Sequence, residues 1–328
     1  MHSTFALFHR SGSTVFVDDD IDYLEMLGMV LPGHWQVELY AHPGKFLERM
    51  KDEPARWEAD AALQLQMIDR GRQGQAMAPQ ILRYWARNSG RYELIKTCVI
   101  DYAMPGIHGL QVLDALLDWP GSRVLLTGQA DDQVAIGAFN RGLIDQYIPK
   151  HASNIGVQLN SKLRALHQAA HTRLNGMWRA TLSSDQYAWL QLPSVADSLR
   201  ERSDRLWVEH VVLADPFGLL AMDAQGGCHW LQLEPADRLG ELAELAATAG
   251  LGPSTCRDIE SGRKLAAIEL HQQLGLSGPV PLAPPFAVDP EGRLLGAHFA
   301  LPASDLPLPV PSYRHFLDTC RQRRIQGA

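Results

Sequence analysis

The chain has few cysteines, and no two of them are close together. Its four cysteines, among 328 residues, are Cys98, Cys228, Cys256 and Cys320, and none belongs to a CxxC pair. This scatter excludes a disulfide scaffold and a cysteine-rich zinc site. It is typical of a protein kept in a reducing compartment, so we expect a cytoplasmic location.

The chain also lacks a long apolar run. No stretch reaches the roughly 20 apolar residues that a membrane-spanning helix needs, so no membrane partner is expected. The start, MHSTFALFHRSGS, has only a four-residue apolar run, and Arg10 follows that run instead of preceding it. No signal peptide is therefore predicted.

Neither sign of charge dominates the composition. The 37 acidic and 30 basic residues give a net charge of -7 at pH 7, which does not favour extensive nucleic-acid binding. A length of 328 residues is enough for two domains, each with its own hydrophobic core.

Short apolar strands alternate with helices over the first 150 residues. This rhythm predicts an α/β domain built on a doubly wound, five-stranded parallel sheet with helices on both faces. The predicted strands are 13–17, 35–40, 97–100, 123–126 and 146–148, and the predicted helices are 24–31, 43–50, 109–117 and 132–140.

One connection in this domain is unusually long. Residues 51–96 carry apolar side chains at helical spacing, and the polar segment 69–75 separates two halves. We expect a helical hairpin inserted into the domain, with a structural or docking role. The predicted organisation is a first domain over 1–154 with this insertion, a linker or dimerisation helix over 155–180, and a smaller α+β domain over 181–328.

A long helix is predicted from Ile155 to about Trp178. Its apolar residues follow a coiled-coil spacing with one gap: Leu159, Leu163, Leu166, Ala170 and Met177. We expect the first turns to cover the parallel sheet and the later turns to pair with a second subunit in a homodimer. His167 and His171 lie four residues apart, but no third ligand has a matching spacing, so a metal site there is not favoured.

The second half has the pattern of an antiparallel α+β domain. Strands are predicted at 207–213 and within 218–233, with a hairpin turn at 223–227. Helices at 236–248 and 254–274 follow, then a hairpin over 286–301, a proline-rich extended segment over 302–311 and a basic helix over 312–324.

Polar residues follow four of the predicted parallel strands: Asp18 and Asp19, Asp101, Thr127 and Lys150. The carboxyl ends of parallel strands meet at one edge of the sheet, so these side chains should converge. Each close carboxylate pair costs on the order of 4 kcal/mol at an effective dielectric near 20, which calls for a compensating cation. Carboxylates suit Mg²⁺, whereas the Lys150 ammonium and the Thr127 hydroxyl suit a phosphoryl group carried by one carboxylate.

Two alternatives stay open at this point. A single aspartate at a strand end is often an ordinary loop cap, so Asp101 by itself does not establish a site. Asp20 extends the acidic run, so the metal-binding pair is either Asp18 and Asp19 or Asp19 and Asp20. We favour Asp18 and Asp19 because the apolar strand must end before them.

The segments VFVDDDIDYLEML, VIDYAMPGIHGL, VLLTGQA and DQYIPK resemble, in order and spacing, the receiver domain of two-component response regulators. The resemblance covers residues 13 to about 150. It implies that Asp101 is the phosphoacceptor and that Asp18 and Asp19 hold Mg²⁺, with the backbone carbonyl of Ala103 as a further ligand.

The same resemblance implies that Thr127 is the switch hydroxyl, Lys150 the phosphate-pairing lysine and Tyr147 the aromatic that turns inward on activation. The chain departs from the family in the long insertion at 51–96. It also departs at His151, where the family usually has a proline after the lysine, and at Gly128, which is expected to leave the phosphate pocket open.

The function implied is that of a phosphoacceptor signalling protein, not an enzyme beyond its own phosphotransfer and dephosphorylation. A sensor histidine kinase or phosphotransfer protein would supply the phosphoryl group, and the second domain would act through protein contacts. Asp215, His229 and Ser254 stand in no catalytic motif.

The alternative is a DNA-binding regulator. Residues 242–264 resemble the helix-turn-helix of phage-repressor-type regulators, but the presumed recognition helix, 254–260, has only Arg257 as a basic residue. Two ordinary packed helices explain the same residues, so this alternative is less favoured. The order of elements in the second half also weakly resembles a PAS-type sensory domain.

Overall fold

The computed structural model of the chain describes residues 5–128, 132–169 and 172–326. The chain divides into two compact units, which we name by their sheets. The parallel-sheet unit comprises Ser11–Leu63, Gly90–Thr172 and Cys320–Ala328, and the antiparallel-sheet unit comprises Met1–Arg10, Gln64–Ser89 and Arg173–Thr319. The units therefore differ from the three consecutive segments predicted, since residues 1–10 and 64–89 group with the C-terminal half.

Both units contain strands as well as helices. The strands are β1 (Phe8–His9), β2 (Ser13–Val17), β3 (Gln36–Tyr40), β4 (Ile95–Asp101), β5 (Ser122–Thr127), β6 (Gln146–Pro149), β7 (Glu209–Ala214), β8 (Phe217–Met222), β9 (Cys228–Pro235), β10 (Leu265–Ala266), β11 (Leu282–Ala283), β12 (Phe286–Ala287) and β13 (Leu294–Leu301). The α-helices are α1 (Ile21–Val30), α2 (Pro43–Met50), α3 (Glu53–Arg72), α4 (Met77–Arg87), α5 (Gly109–Asp114), α6 (Asp132–Asn140), α7 (Ile155–Ala169), α8 (Thr172–Arg179), α9 (Ser184–Gln191), α10 (Pro193–Leu206), α11 (Leu239–Thr248), α12 (Pro253–Glu260), α13 (Ile268–Gln273) and α14 (Tyr313–Gln326). Within the described ranges, none of these helices has the length and apolar character that crossing a bilayer requires.

The parallel-sheet unit confirms the predicted α/β architecture. Its five strands lie in the order β3-β2-β4-β5-β6, and every neighbouring pair is parallel. Side chains alternate between two buried faces, so that Val15 and Val17 belong to one core and Phe16 to the other. Residues of α1 and α7 complete the Phe16 core, and residues of α2, α5 and α6 complete the opposite one.

The predicted helical insertion is present as α3 and α4. Its start is fixed by the fully buried carboxylate of Glu53, which accepts hydrogen bonds from Arg49 at 2.8 Å and from the Ile95 N–H at 2.7 Å. The indole of Trp57 donates to the Ile95 carbonyl at 3.1 Å. The boundary between the two units falls inside α3, at residues 63 and 64.

The helix predicted over 155–178 is described as α7 and α8, and Ala170 and His171 lie outside the described residues. Leu159 and Leu163 are fully buried in the Phe16 core. Each such leucine contributes about 2 kcal/mol to folding. The first part of the predicted coiled-coil seam is therefore used by the chain's own sheet, as expected for its first turns.

The antiparallel-sheet unit contains a six-stranded sheet in the order β1-β7-β8-β9-β13-β12. The N-terminal segment supplies its edge strand, because Phe8 pairs with Val211 and His9 with His210. The predicted strands and the turn at 223–227 are present, and the sheet is antiparallel throughout. The α9–α10 pair was not predicted.

The single helix predicted over 254–274 is wrong. The helix α12 ends at Glu260, and the chain then forms β10 and a separate helix, α13. Gly262 adopts a left-handed conformation with φ 68°, and the N–H of Arg263 donates back to the Asp258 carbonyl at 2.8 Å. This is the usual way in which a glycine ends a helix, and it outweighs the apolar periodicity that continues beyond it.

Candidate functional site

The carboxyl edge of the parallel sheet gathers the residues that the sequence singled out. Asp18 directly follows β2, and Asp101 is the last residue of β4. Thr127 is the last residue of β5, and Lys150 directly follows β6. In the strand register the residue before Thr127 lies opposite Asp101, and Thr127 lies opposite Pro149. Parallel strands thus bring distant parts of the chain to one edge, as predicted.

The Lys150 ammonium lies against two buried carboxylates. Its Nζ is 2.7 Å from Asp18 Oδ2 and 2.9 Å from Asp101 Oδ1. The side chains are 0% exposed for Asp18, 5% for Asp101 and 16% for Lys150, so water screens these charges little. The N–H of Lys150 donates to the Thr127 carbonyl at 2.8 Å, and its peptide bond to His151 is trans.

The protonation behaviour of this ion pair reflects burial and charge together. Burial raises the pKa of the Asp18 carboxyl, and the hydrogen bond from Lys150 only partly opposes that shift. Burial by itself would lower the pKa of the Lys150 ammonium, but the bonds to Asp18 and Asp101 raise it overall. The lysine is therefore charged at neutral pH.

Asp19 completes an acidic group with the geometry of a metal site. Asp18, Asp19 and Asp101 each offer a carboxylate oxygen, and these atoms lie within 4.8 Å of one another. Asp20 has a different role: its Oδ1 accepts the Tyr23 N–H at 3.0 Å and caps α1. This arrangement favours Asp18 and Asp19 over the Asp19 and Asp20 alternative.

The loop after β4 holds the predicted carbonyl ligand. Ala103 is exposed in this loop, and its role as a ligand stays a prediction. The N–H of Gly109 donates to the Tyr102 carbonyl at 3.0 Å, which brings the start of α5 close to β4. A side chain at Gly109 would collide with the Asp101 carbonyl oxygen, so only glycine fits at this position.

The predicted switch residues occupy two different environments. The Thr127 hydroxyl is buried and has no hydrogen-bond partner among the described residues. A buried hydroxyl without a partner is costly, and a bound oxyanion would supply one. Tyr147 is half-buried beside the core that contains Val15, and its carbonyl accepts a hydrogen bond from Lys162 at 3.1 Å.

Sequence reasoning missed Tyr23, which lies beside the acidic group. Lys150 Nζ is 5.0 Å from the centre of its ring, and the buried Tyr23 hydroxyl has no hydrogen-bond partner among the described residues. Burial, together with the charges of Asp18, Asp101 and Asp20, raises its pKa to about 12. The sequence signal that was available is the position of Tyr23, three residues after Asp20. Because Asp20 caps α1, Tyr23 lies in the first turn of this helix, next to the end of β2.

The other candidates do not form comparable sites. His167 Nε2 lies 2.8 Å from Thr14 Oγ1 in the parallel-sheet unit, and its proposed partner His171 lies outside the described residues. Among the described residues, the acidic trio at the sheet edge is the only grouping of three metal-binding side chains.

The helix-turn-helix candidate consists of α11 and α12, which pack through buried residues such as Leu242 and Ile259. Asp258 forms ion pairs with Arg263 at 2.8 Å and Lys264 at 3.0 Å, so this surface is not strongly basic. These contacts fit two packed helices better than a DNA-reading surface.

Comparison with solved structures gives a match over the whole chain. The response regulator LqsR of Legionella pneumophila has a TM-score of 0.70 and 22% sequence identity, and the match covers 96% of this chain and 97% of that chain. A CheY-like receiver domain protein of Methanospirillum hungatei matches 50% of this chain and 98% of that chain, with a TM-score of 0.32 and 17% identity. No family model and no curated protein matches the sequence. The match to LqsR shows that this chain shares the fold of that response regulator, and the strand order β3-β2-β4-β5-β6 agrees with the doubly wound sheet predicted for the parallel-sheet unit.

Proposed function

We propose that the chain is a phosphorylation-controlled response regulator in which Asp101 accepts a phosphoryl group from a sensor histidine kinase or phosphotransfer protein. The observation that carries the proposal is the Lys150 ammonium within 3 Å of both Asp18 and Asp101 at the carboxyl edge. The chemistry proposed is phosphotransfer to this chain and its later hydrolysis, with no separate enzymatic activity.

In the proposed step, a carboxylate oxygen of Asp101 forms a bond to the phosphorus of a donor phosphohistidine. The bond between phosphorus and the imidazole nitrogen breaks, and its electron pair stays on that nitrogen. The Lys150 ammonium offsets negative charge that accumulates on the phosphoryl oxygens. Its contact with Asp101 at 2.9 Å holds it at the reacting carboxylate beforehand.

The acidic group suits Mg²⁺. Three carboxylates face one ammonium, which leaves an excess of negative charge that a divalent cation would compensate. Asp18, Asp19 and Asp101 would hold the ion, with the Ala103 carbonyl as the further ligand predicted from the sequence. When bound, Mg²⁺ would stabilise negative charge on the phosphoryl oxygens.

The switch follows from the change in charge: the acyl phosphate carries about two negative charges, where the Asp101 carboxylate carried one. The buried Thr127 hydroxyl, which has no hydrogen-bond partner among the described residues, would donate to a phosphoryl oxygen. Tyr147 would follow inward and change the surface around β5 and β6. A switch from mostly off to mostly on requires a differential of about 5.5 kcal/mol between the two states.

The antiparallel-sheet unit is the proposed output, acting through protein contacts. The ion pairs of Asp258 support this proposal over DNA binding. A homodimer and a cytoplasmic location also stay predictions. Light scattering with and without phosphorylation tests the homodimer, and a monomer in both states would contradict it.

The decisive experiment treats the full chain with a small phosphodonor and Mg²⁺ and maps the modified residue by mass spectrometry. We expect a single acid-stable, base-labile acyl phosphate on Asp101, and no modification of the Asp101→Asn variant. Omission of Mg²⁺ should strongly reduce the modified fraction.

The matched control is Asp20→Asn, which changes a neighbouring acidic residue in the same way but keeps a helix cap. This variant should be phosphorylated like the wild type. Modification of a residue other than Asp101, or equal modification of Asp101→Asn, would overturn the proposal.

A further inference from the structure

A second concentration of acidic residues lies in the antiparallel-sheet unit, around a cavity of about 550 Å³. The cavity lies between α9, the turn joining β7 and β8, the end of β9, α11 and α13. Its volume is within the range of small-molecule sites. We call it the acidic cavity and define it by four carboxylates from different elements together with two aromatic rings: Asp185, Asp215, Glu234, Glu269, Trp189 and Phe217.

The charge of this cavity excludes an anionic ligand. Arg238 is the one basic residue among its lining residues, and it already bonds to Glu241, which also lines the cavity, at 2.7 Å. Burial raises the pKa of Glu234 to about 7, and burial and the charge of Asp215 raise the pKa of Glu269. These carboxylates therefore lack enough positive charge in the chain itself.

A buried amide next to Glu234, although it does not line the cavity, also lacks a hydrogen-bond donor. Gln232 is 4% exposed, and its Nε2 lies 3.4 Å from Glu234 Oε2. Its Oε1 is buried and has no hydrogen-bond partner among the described residues. The interior beside Glu234 thus has more hydrogen-bond acceptors than donors. Phosphate and carboxylate need donors around them, so they do not suit this environment.

The acidic groups of the cavity are not spaced like the ligands of a metal site. Over the described residues, only Asp18, Asp19 and Asp101 bring three potential ligands within 4.8 Å of one another. The carboxylates of the acidic cavity come from separate elements and do not converge in this way. Acceptors that several separate elements place around one cavity suit a ligand whose positive charges are also spread.

The rim of the cavity is held in place before any ligand binds. Gln186 Nε2 donates to the Ala214 carbonyl at 2.7 Å, and Gln273 Nε2 donates to the Asp215 carbonyl at 2.9 Å. Trp189 presents a ring that attracts cations, since the Arg293 guanidinium lies 5.7 Å from its centre. Methylene groups between charged amines would contact Trp189 and Phe217.

We propose that the acidic cavity binds a linear polyamine, a flexible aliphatic chain that carries several protonated amines. Its ammonium groups would donate to Glu234, Glu269 and Asp215, and its methylene groups would lie against the aromatic rings. This ligand site is independent of the phosphorylation proposed at Asp101.

The test is isothermal titration calorimetry of the full chain with spermidine at about 150 mM salt, where long-range attraction is largely screened. We expect saturable binding with one site per chain. Glu234→Gln and Glu269→Gln should each weaken binding about tenfold or more, because each removes a charge-assisted hydrogen bond. Trp189→Leu should weaken binding to a smaller degree.

The matched control is Glu260→Gln, which removes the same charge from an exposed position of this unit outside the cavity. It should leave the affinity for spermidine unchanged within about twofold. A neutral diol of similar length and adenosine monophosphate should not bind.

Four results would overturn the proposal: no saturable binding of spermidine at millimolar concentration, equal weakening by Glu234→Gln and Glu260→Gln, preference for the nucleotide, or full competition by Mg²⁺. Thermal unfolding of each variant without ligand shows that the fold is retained, and Glu234→Gln removes a costly buried charge, so it should not unfold the chain.

Discussion

The two units place acidic side chains in opposite ways. At the edge of the parallel sheet, Asp18, Asp19 and Asp101 come within 4.8 Å of one another beside Lys150. In the acidic cavity of the antiparallel-sheet unit, Glu234 and Glu269 line a volume of about 550 Å³ without such convergence. Parallel strands all end at one edge, whereas antiparallel strands end alternately at two, so only the first arrangement concentrates strand-end groups at one point.

The largest effect on stability is expected at β1. It tests whether this strand belongs to the antiparallel-sheet unit. Phe8 is 2% exposed and stacks on Trp178, with ring centres 6.4 Å apart. Phe8→Ala should lower the free energy of unfolding by about 4 kcal/mol. Hydrogen exchange should show loss of protection in β7, with β4 retained.

The control for this prediction is Phe139→Ala, which truncates a phenylalanine that is 55% exposed. Its effect on the free energy of unfolding should be within about 0.5 kcal/mol. Loss of protection in β4 instead of β7 on Phe8→Ala would show that Phe8 stabilises the parallel sheet.

The second-largest effect is expected at the edge of the parallel sheet, where Lys150 pairs with two buried carboxylates. Lys150→Met leaves the buried carboxylates of Asp18 and Asp101 without their ammonium, which should cost about 3 kcal/mol in urea unfolding. Millimolar Mg²⁺ should restore part of this loss. Lys51→Met is the control, because its pair with Glu48 is exposed and should contribute under about 1 kcal/mol. Equal loss in both variants would mean that the edge charges are screened by water.

At the acidic cavity, removal of one charge should raise the free energy of unfolding, whereas removal of the Lys150 charge should lower it. The pKa of Glu234 is about 7 in the folded chain, against 4.5 when it is unperturbed. The folded state therefore holds this proton more tightly, and stability is lost as pH rises from about 4.5 to 7. Glu234→Gln should raise the free energy of unfolding by about 2 kcal/mol at pH 8 and have little effect below pH 4.5. A gain that does not change with pH would contradict this cause.

The smallest effect is expected at a feature that both units contain, a helix whose first turn is capped by a side chain. Asp20 caps α1 by accepting the Tyr23 N–H at 3.0 Å, and Ser183 caps α9 by accepting the Gln186 N–H at 3.1 Å. Asp20→Ala and Ser183→Ala should each lower the free energy of unfolding by about 1 kcal/mol, measured by urea titration. A gain in the free energy of unfolding for Asp20→Ala would show instead that this residue belongs to the acidic site, because its removal would relieve carboxylate repulsion.

Much of the parallel-sheet unit follows from local pattern. Apolar strands that end on Asp18, Asp101 and Thr127 predict both the sheet and its functional edge, because strand direction and strand ends are visible in sequence. Tyr23 was missed because its proximity to Lys150 depends on the packing of α1. The end of α12 at Glu260, two residues before the left-handed Gly262, was missed because apolar spacing continues beyond it.

The amino-acid sequence by itself determined the order of strands and helices in the parallel-sheet unit and the residue types at its carboxyl edge. Only the tertiary structure decided that Asp20 caps a helix, that Phe8 and His9 pair with β7, and that Glu234 and Glu269 line one cavity. The reason is physical: alternation and capping act over a few neighbouring residues, whereas these contacts join segments that are distant along the chain and form only when the sheets and helices pack.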